Sequence, residues 1–307
     1  MTRRQIILTS FIGLFTFLLG MMSPAYAEMT IKHASGETVL KATPKKVVVF
    51  DLASLDNMNR LGIDGVVGIP QTPMPKYLAK YADDKNLVKV GTLFEPNYEI
   101  LSNLAPDLII ISGRSQPKYE ELNKIAPTID LTVANDTYLD DVKRNVTILG
   151  DIFGKQEQAK TELEQLDKTI ADVKKQAAEK GNGLLILTTG GKMSAFGPGS
   201  RFGILYSDFG VTPVAKDLNT GNHGQMISPE FIFETDPEWL FVIDRDAAIG
   251  REGESAAQLL DNDVIKRTKA SKDDHIIYLD PQNWYLVGGS LSGLHETAQQ
   301  LQDAFSK

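Results

Sequence analysis

The chain has 307 residues, 42% hydrophobic and 23% charged, with 32 Lys and Arg against 40 Asp and Glu and a formal net charge of −8. That balance excludes the broad basic surface with which proteins hold nucleic acid or anionic membranes. Cysteine is absent, which excludes a disulfide framework and thiolate metal sites and leaves the core to hold the fold alone.

The N-terminus has three parts: Thr2-Arg3-Arg4, an apolar run from Ile6 to Met22, and Ser23-Pro24-Ala25-Tyr26-Ala27. Basic start, apolar middle and small-residue end form the pattern of a secretory signal peptide, with cleavage expected after Ala27. The run is short for a membrane span. With no cysteine to carry a lipid, the expected product is a soluble periplasmic protein, not a lipoprotein. Loss of Arg3 and Arg4 takes the basic count from 32 to 30 against the same 40 acids. An anion site in so acidic a chain has to be a local cluster of Arg.

Thr30 to Leu40 reads as a hairpin turning at Gly36-Glu37. The β-branched run Lys46-Val47-Val48-Val49-Phe50-Asp51 reads as a strand buried on both faces, as in a parallel sheet. A helix is expected from Leu52 to Leu61, a strand over Val66 to Ile69, a helix over Tyr98 to Leu104 and a strand over Leu108 to Ile111. From Gly154 to Gly181 the spacing of Leu163, Leu166, Ile170, Val173 and Ala177 predicts one long helix of roughly 40 Å. Glu162 and the other charges are expected on its solvated face. The pattern then restarts, with a strand over Leu184 to Leu187, a helix over Phe202 to Phe209, and a short helix over Glu230 to Glu234. A strand over Trp239 to Ile243, another over Ile276 to Leu279 and a last helix over Gly293 to Ser306 complete it. Alternation of this kind specifies an α/β fold.

The halves look like a diverged repeat. Glu99, Pro106 and Arg114 stand at one constant offset from Glu230, Pro237 and Arg245. The expected organisation is a signal peptide (1–27), an N-terminal lobe (28–153), a bridging helix (154–181) and a C-terminal lobe (182–307). The lobes are similar and carry central, mostly parallel sheets. Ligands of open α/β sheets sit beyond the carboxyl ends of the strands, and Arg114 and Arg245 each follow such a strand. Arg201 follows a Gly197-Pro198-Gly199 loop. Three Arg grip a compact, multiply charged anion with planar oxygens. Ordinary surface arginines paired with Asp244 or Asp246 are the competing account. His223, in a Gly- and Asn-rich loop, and Tyr285 are competent ligands for ferric iron, though two ligands alone make a poor metal site. Neither a Gly-x-Ser-x-Gly elbow nor a Walker loop occurs, so no catalysis is expected. Glu99 and Glu230 each open a short helix, where a carboxylate is favourable in any case.

These residues resemble the class III periplasmic binding proteins of iron–siderophore ABC importers, nearest the enterochelin- and petrobactin-type, catecholate-binding branch. The resemblance runs from Pro44-Lys45-Lys46-Val47 and Gly91-Thr92-Leu93, through Pro106-Asp107 to Arg114, to Val242-Ile243-Asp244-Arg245 and Trp284-Tyr285. It implies two α/β lobes bridged by one long helix and an arginine triad, here Arg114, Arg201 and Arg245, holding the anionic iron complex. It implies that His223 and Tyr285 complete the iron shell in some members, and that Glu99 and Glu230 dock on an inner-membrane permease. No covalent cofactor is implied; Fe(III) arrives only within its siderophore, and a monomer is expected. Trp284 and Tyr285, with Tyr98 or Tyr138, are candidates to stack on catechol rings. Other readings keep the fold with haem, cobalamin or a ferric citrate-type chelate as ligand, or make the chain an exported enzyme using His223 and Tyr285. His33, His275 and His295 receive no role.

Overall fold

The computed structural model describes residues 28–306; the signal-peptide segment 1–27 lies outside the described residues. In chain order the N-terminal part holds β1 (Met29–His33), β2 (Gly36–Leu40), β3 (Val47–Val49), α1 (Leu52–Arg60), β4 (Val66–Ile69), α2 (Ala79–Asp83), β5 (Val88–Lys89), α3 (Tyr98–Leu104), β6 (Leu108–Ile111), α4 (Tyr119–Leu122), β7 (Thr128–Asp130) and α5 (Tyr138–Phe153). The long helix α6 (Gln156–Ala177) follows. Beyond it lie β8 (Asn182–Thr189), β9 (Lys192–Phe196), α7 (Ile204–Ser207), β10 (Thr212–Pro213), β11 (Gln225–Ile227), α8 (Pro229–Thr235), β12 (Trp239–Asp244), α9 (Arg245–Ala248), α10 (Ala256–Leu260), α11 (Lys269–Lys272), β13 (Ile276–Tyr278), α12 (Pro281–Tyr285) and α13 (Leu291–Phe305).

The N-terminal sheet has the order β5-β4-β3-β6-β7 and is parallel throughout. In the C-terminal sheet the order is β11-β9-β8-β12-β13, with β10 also pairing β8. Its central pairs β8–β12 and β12–β13 are parallel, while β8–β9 is an antiparallel hairpin turned at Gly190-Gly191. Among the described residues no strand of one sheet belongs to the other, so there α6 is the one covalent crossing between them.

The repeat extends below the level of sequence identity. Helices α3 and α8 both end on a left-handed residue that is not glycine, Ala105 (φ 45°) and Asp236 (φ 42°), each followed by proline. Asp107 accepts the backbone N–H groups of Lys45 and Lys46, and Glu238, at the matching position, accepts that of Asn182. In both lobes an acid after Pro thus ties down the entry to the neighbouring central strand. Ala105 has no side-chain polarity to repay its left-handed backbone. Ala105→Gly is therefore expected to stabilise the protein by about 0.5–1 kcal/mol, read as a rise in denaturation midpoint; an unchanged or lower midpoint would show that the αL cap carries no strain.

Strand periodicity sends side chains to two sides. Val47, Val49, Leu108 and Ile110 on one sheet, and Leu185, Leu187, Phe241 and Ile243 on the other, share one core with α1, α5, α6 and α13. Val48, Ile109 and Ile111 form a separate core on the far face of the first sheet, and Leu184, Ile186, Leu240 and Val242 on that of the second. The helical layer is thus common to both lobes. Its continuity favours small relative motion over wide hinge opening.

Several expectations need correction. The long helix is shorter than expected, 22 residues and so about 33 Å. Gly154 does not open it but closes α5, at φ 66° with its N–H on the Gly150 carbonyl. Glu162 is not on the solvated face: it is 6% exposed and receives Arg60 from α1. Of Phe202 to Phe209 only Ile204–Ser207 is α-helical: the chain before it is held in a turn closed by the Gly203 N–H on the Ser200 carbonyl, and beyond it the backbone reverses at Gly210, φ 80°.

Candidate functional site

Arg114 follows β6, Arg245 directly follows β12, and Arg201 follows the turn after β9, in which the Ser200 hydroxyl donates to the Gly197 carbonyl at 2.6 Å. Tyr285 ends α12, a helix capped by Asp280, which accepts the Asn283 N–H. These four residues converge. The guanidinium carbons of Arg114, Arg201 and Arg245 lie 5.6, 4.9 and 5.2 Å from the centre of the Tyr285 ring. Arg245 Nε donates to the phenol oxygen at 2.7 Å, and its Nη1 to Thr189 Oγ1 at 3.2 Å. Arg114 reaches across from the N-terminal lobe, donating to the carbonyls of Tyr285 and, at 3.2 Å, Leu286.

Three cations this close have an electrostatic cost. Burial lowers the Arg114 and Arg201 pKa values, and repulsion from a neighbouring arginine adds to it in each case. Burial alone would raise the Tyr285 phenol, but the Arg245 hydrogen bond and the charges of Arg245, Arg201 and Arg114 outweigh it and hold the pKa below its ordinary value. The centre therefore selects for negative charge.

Of the two acids that compete for these arginines, one is engaged elsewhere and the other keeps only a long contact to Arg245. Asp244 caps α9 through the Ala247 N–H and accepts the Ala256 N–H. Asp246 accepts from Gly190 N–H and Thr189 Oγ1, and stands 3.9 Å from Arg245 and 3.4 Å from Arg251. Among the described residues, neither Arg114 nor Arg201 has a carboxylate oxygen within 4 Å. Asp51 also lines the cavity; burial raises its pKa, against hydrogen bonds from Ser54 and the charge of Arg114.

The cluster lies in a cleft of about 820 Å³ lined from both lobes, large for a small-molecule site. His223 lines it, exposed, and Tyr138 lines it with a phenol whose pKa burial raises. Trp284 is at the cleft but 7% exposed, edge-on to Phe202, and its buried Nε1 has no hydrogen-bond partner among the described residues. Tyr98 is not among the lining residues. Glu99 and Glu230 are exposed in the first turns of α3 and α8, outside the cleft. Among the described residues no group of three or more His, Cys, Asp or Glu is arranged to hold a metal, and no helix is long and apolar enough to cross a membrane.

Sequence reasoning missed Lys192, Phe94 and Met226, which also line the cleft. Lys192 opens β9, whose pairing with β8 follows the Gly190-Gly191 turn, a hairpin signal present in the sequence.

The periplasmic binding protein family model matches residues 47–283. The petrobactin-binding protein YclQ of Bacillus subtilis is 44% identical over 284 residues, covering 91% of this chain and 89% of that protein. Its crystal structure superposes with a TM-score of 0.88 at 43% identity, covering 91% of this chain and 99% of the other. The periplasmic catecholate-siderophore binding protein VctP of Vibrio cholerae gives a TM-score of 0.85 at 32% identity, covering 90% and 99%. Two α/β lobes on a shared helical layer, a single long crossing helix and a match through most of both lobes lead to one conclusion: this chain belongs to the periplasmic binding protein family.

Proposed function

We infer that the protein captures a ferric, catecholate-type siderophore in the inter-lobe cleft and delivers it to an inner-membrane ABC permease. One observation carries this reading: three guanidiniums from both lobes surround one phenol, with no carboxylate of the described residues within 4 Å of two of them. A ferric tris-catecholate carries about three negative charges, which such a cluster neutralises locally in a protein whose own net charge is negative. The name of VctP gives that protein's ligand as a catecholate siderophore, and the name of YclQ gives petrobactin.

Iron enters as cargo within its chelate and no covalent cofactor is needed. A siderophore that leaves iron positions open would find Tyr285 and His223 as oxygen and nitrogen donors on the cleft. Glu99 and Glu230, one exposed acid per lobe in equivalent first turns, suit docking on a symmetric pair of permease sites. The protein acts as an exported, unlipidated monomer that returns its ligand unchanged, so it is a carrier and not an enzyme.

Fluorescence separates the cleft from the rest of the molecule. Trp284 lines the cleft, whereas Trp239 is stacked on His275 at 3.7 Å and packed against Phe305. A ferric bis- or tris-catecholate is expected to quench emission saturably, and Trp239→Phe is expected to keep the quenching. Absence of quenching by ferric catecholates, with saturable binding of haem, cobalamin or ferric citrate instead, would overturn the assignment.

A further inference from the structure

The two most exposed large apolar side chains among the described residues are Met226, at 72%, and Phe94, at 55%. Both line the cleft, and they come from opposite lobes. The arginine–tyrosine centre is partly buried, so this exposed pair marks the mouth of the same cavity. Exposed large apolar groups facing a ligand cavity from two sides carry more meaning than scattered surface hydrophobics.

Each is held in place by its backbone. The turn carrying Phe94 is closed by the Thr92 N–H on the Glu95 carbonyl, and the Thr92 hydroxyl accepts the N–H groups of Phe94 and Glu95. Gly91, at φ 118°, pairs with Pro96 at its base, leaving no room for a side chain. Met226 lies on the edge strand β11, opposite Ser194 of β9. Cross-strand partners share a face, and Ser194 lines the cleft. Its neighbour Ile227 points the other way, into the second core. Neither side chain supports the fold, and neither has chemistry for an anion or for iron.

We propose that Phe94 and Met226 form a two-sided apolar rim that closes on the hydrocarbon part of the ligand outside the iron shell, such as a methylene spacer joining two chelating arms. This rests on the ferric-chelate reading and deepens it: the inner arginines read charge, and the rim reads what connects the chelating groups. The ligand class is then a linked chelate with an apolar spacer, as opposed to a cluster of separate catecholates. Methionine adapts to an irregular aliphatic chain, and a phenyl ring supplies a flat wall against it.

The test compares two ferric probes on wild type and on Phe94→Ala/Met226→Ala: a synthetic bis-catecholate joined by an alkyl spacer, and iron complexed with unlinked catechol. Burial of this much apolar surface predicts a loss of roughly 10- to 100-fold for the linked probe, with affinity for the unlinked probe unchanged. Phe94→Leu/Met226→Leu should recover most of the loss. Thermal midpoints are expected to match wild type, since both positions are exposed. Equal loss for both probes, or no loss for either, overturns the rim. Failure of wild type to bind either probe is a different result: it overturns the ferric-chelate reading and the rim with it.

Discussion

Replacing Arg201 by Gln is expected to weaken binding of a ferric catecholate by about 30-fold, corresponding to roughly 2 kcal/mol for a lost charge-assisted contact, while leaving the free protein as stable as before or more so. The two effects have one cause. Arg201 lies over the rings of Phe202 and Tyr285, has no carboxylate of the described residues within 4 Å, and has its charge disfavoured first by burial and then by Arg114. Removing the charge relieves the empty cleft and impoverishes the filled one. Arg114→Gln should behave differently, because Arg114 also satisfies the carbonyls of Tyr285 and Leu286 across the cleft. That variant is expected to lose stability as well as affinity. Substituting Arg114, Arg201 and Arg245 together should reduce binding by a factor of about 10⁴ or more if the contacts add. Titration and denaturation on the same preparations decide the matter. Loss of stability in Arg201→Gln without loss of affinity would mean that the triad is structural.

The strands that build this site were legible because burial on both faces leaves a direct mark. Val47–Val49 and Leu108–Ile111 are unbroken runs of apolar side chains, and every one is fully buried. The constant spacing of Glu99, Pro106 and Arg114 against their later counterparts located two of the three cleft arginines without any geometry. Less visible were the edges. Strands β9 and β11 carry Lys192, Ser194 and Met226 because one face of this antiparallel pair looks into the cleft, and a functional face dilutes the period-2 signal. Helix α5 has acids in its first turn and a left-handed Gly154 at its end, a readable stop that also resembles a start for α6. That Phe94 and Met226 face one cavity depends on the fold of both lobes, and no local pattern carries it. Glu162 stands four residues before Leu166, in phase with Ile170, Val173 and Ala177, so the period already placed it on the buried face and its charge argued otherwise until its cation was located on another helix.

That buried acid gives the other large expected effect. Arg60→Met should destabilise the protein by about 2 kcal/mol, and by clearly more than Glu162→Leu. Glu162 is 8% exposed at its side chain, accepts two donors of Arg60 on one oxygen, and accepts Gln158 Nε2 on the other at 3.2 Å. Losing the guanidinium leaves a carboxylate enclosed between α1 and α6, and an uncompensated buried charge typically costs 3–5 kcal/mol. Arg60 is 32% exposed, so solvent already screens part of the interaction and the figure is reduced accordingly. In Glu162→Leu the stranded group is Arg60 itself, whose long stem can carry its charge to water. Leucine meanwhile adds apolar surface beside Ala159 and Leu166 on the same face. The double variant Arg60→Met/Glu162→Leu should recover most of the loss, because matched apolar groups can replace a buried pair at little net cost. Urea denaturation of the three variants supplies the comparison through midpoints at constant m-value. Equal losses in the two single variants, with no recovery in the double, would show that the pair is an ordinary surface contact and that the crossing helix is held to the N-terminal lobe by its apolar stripe alone.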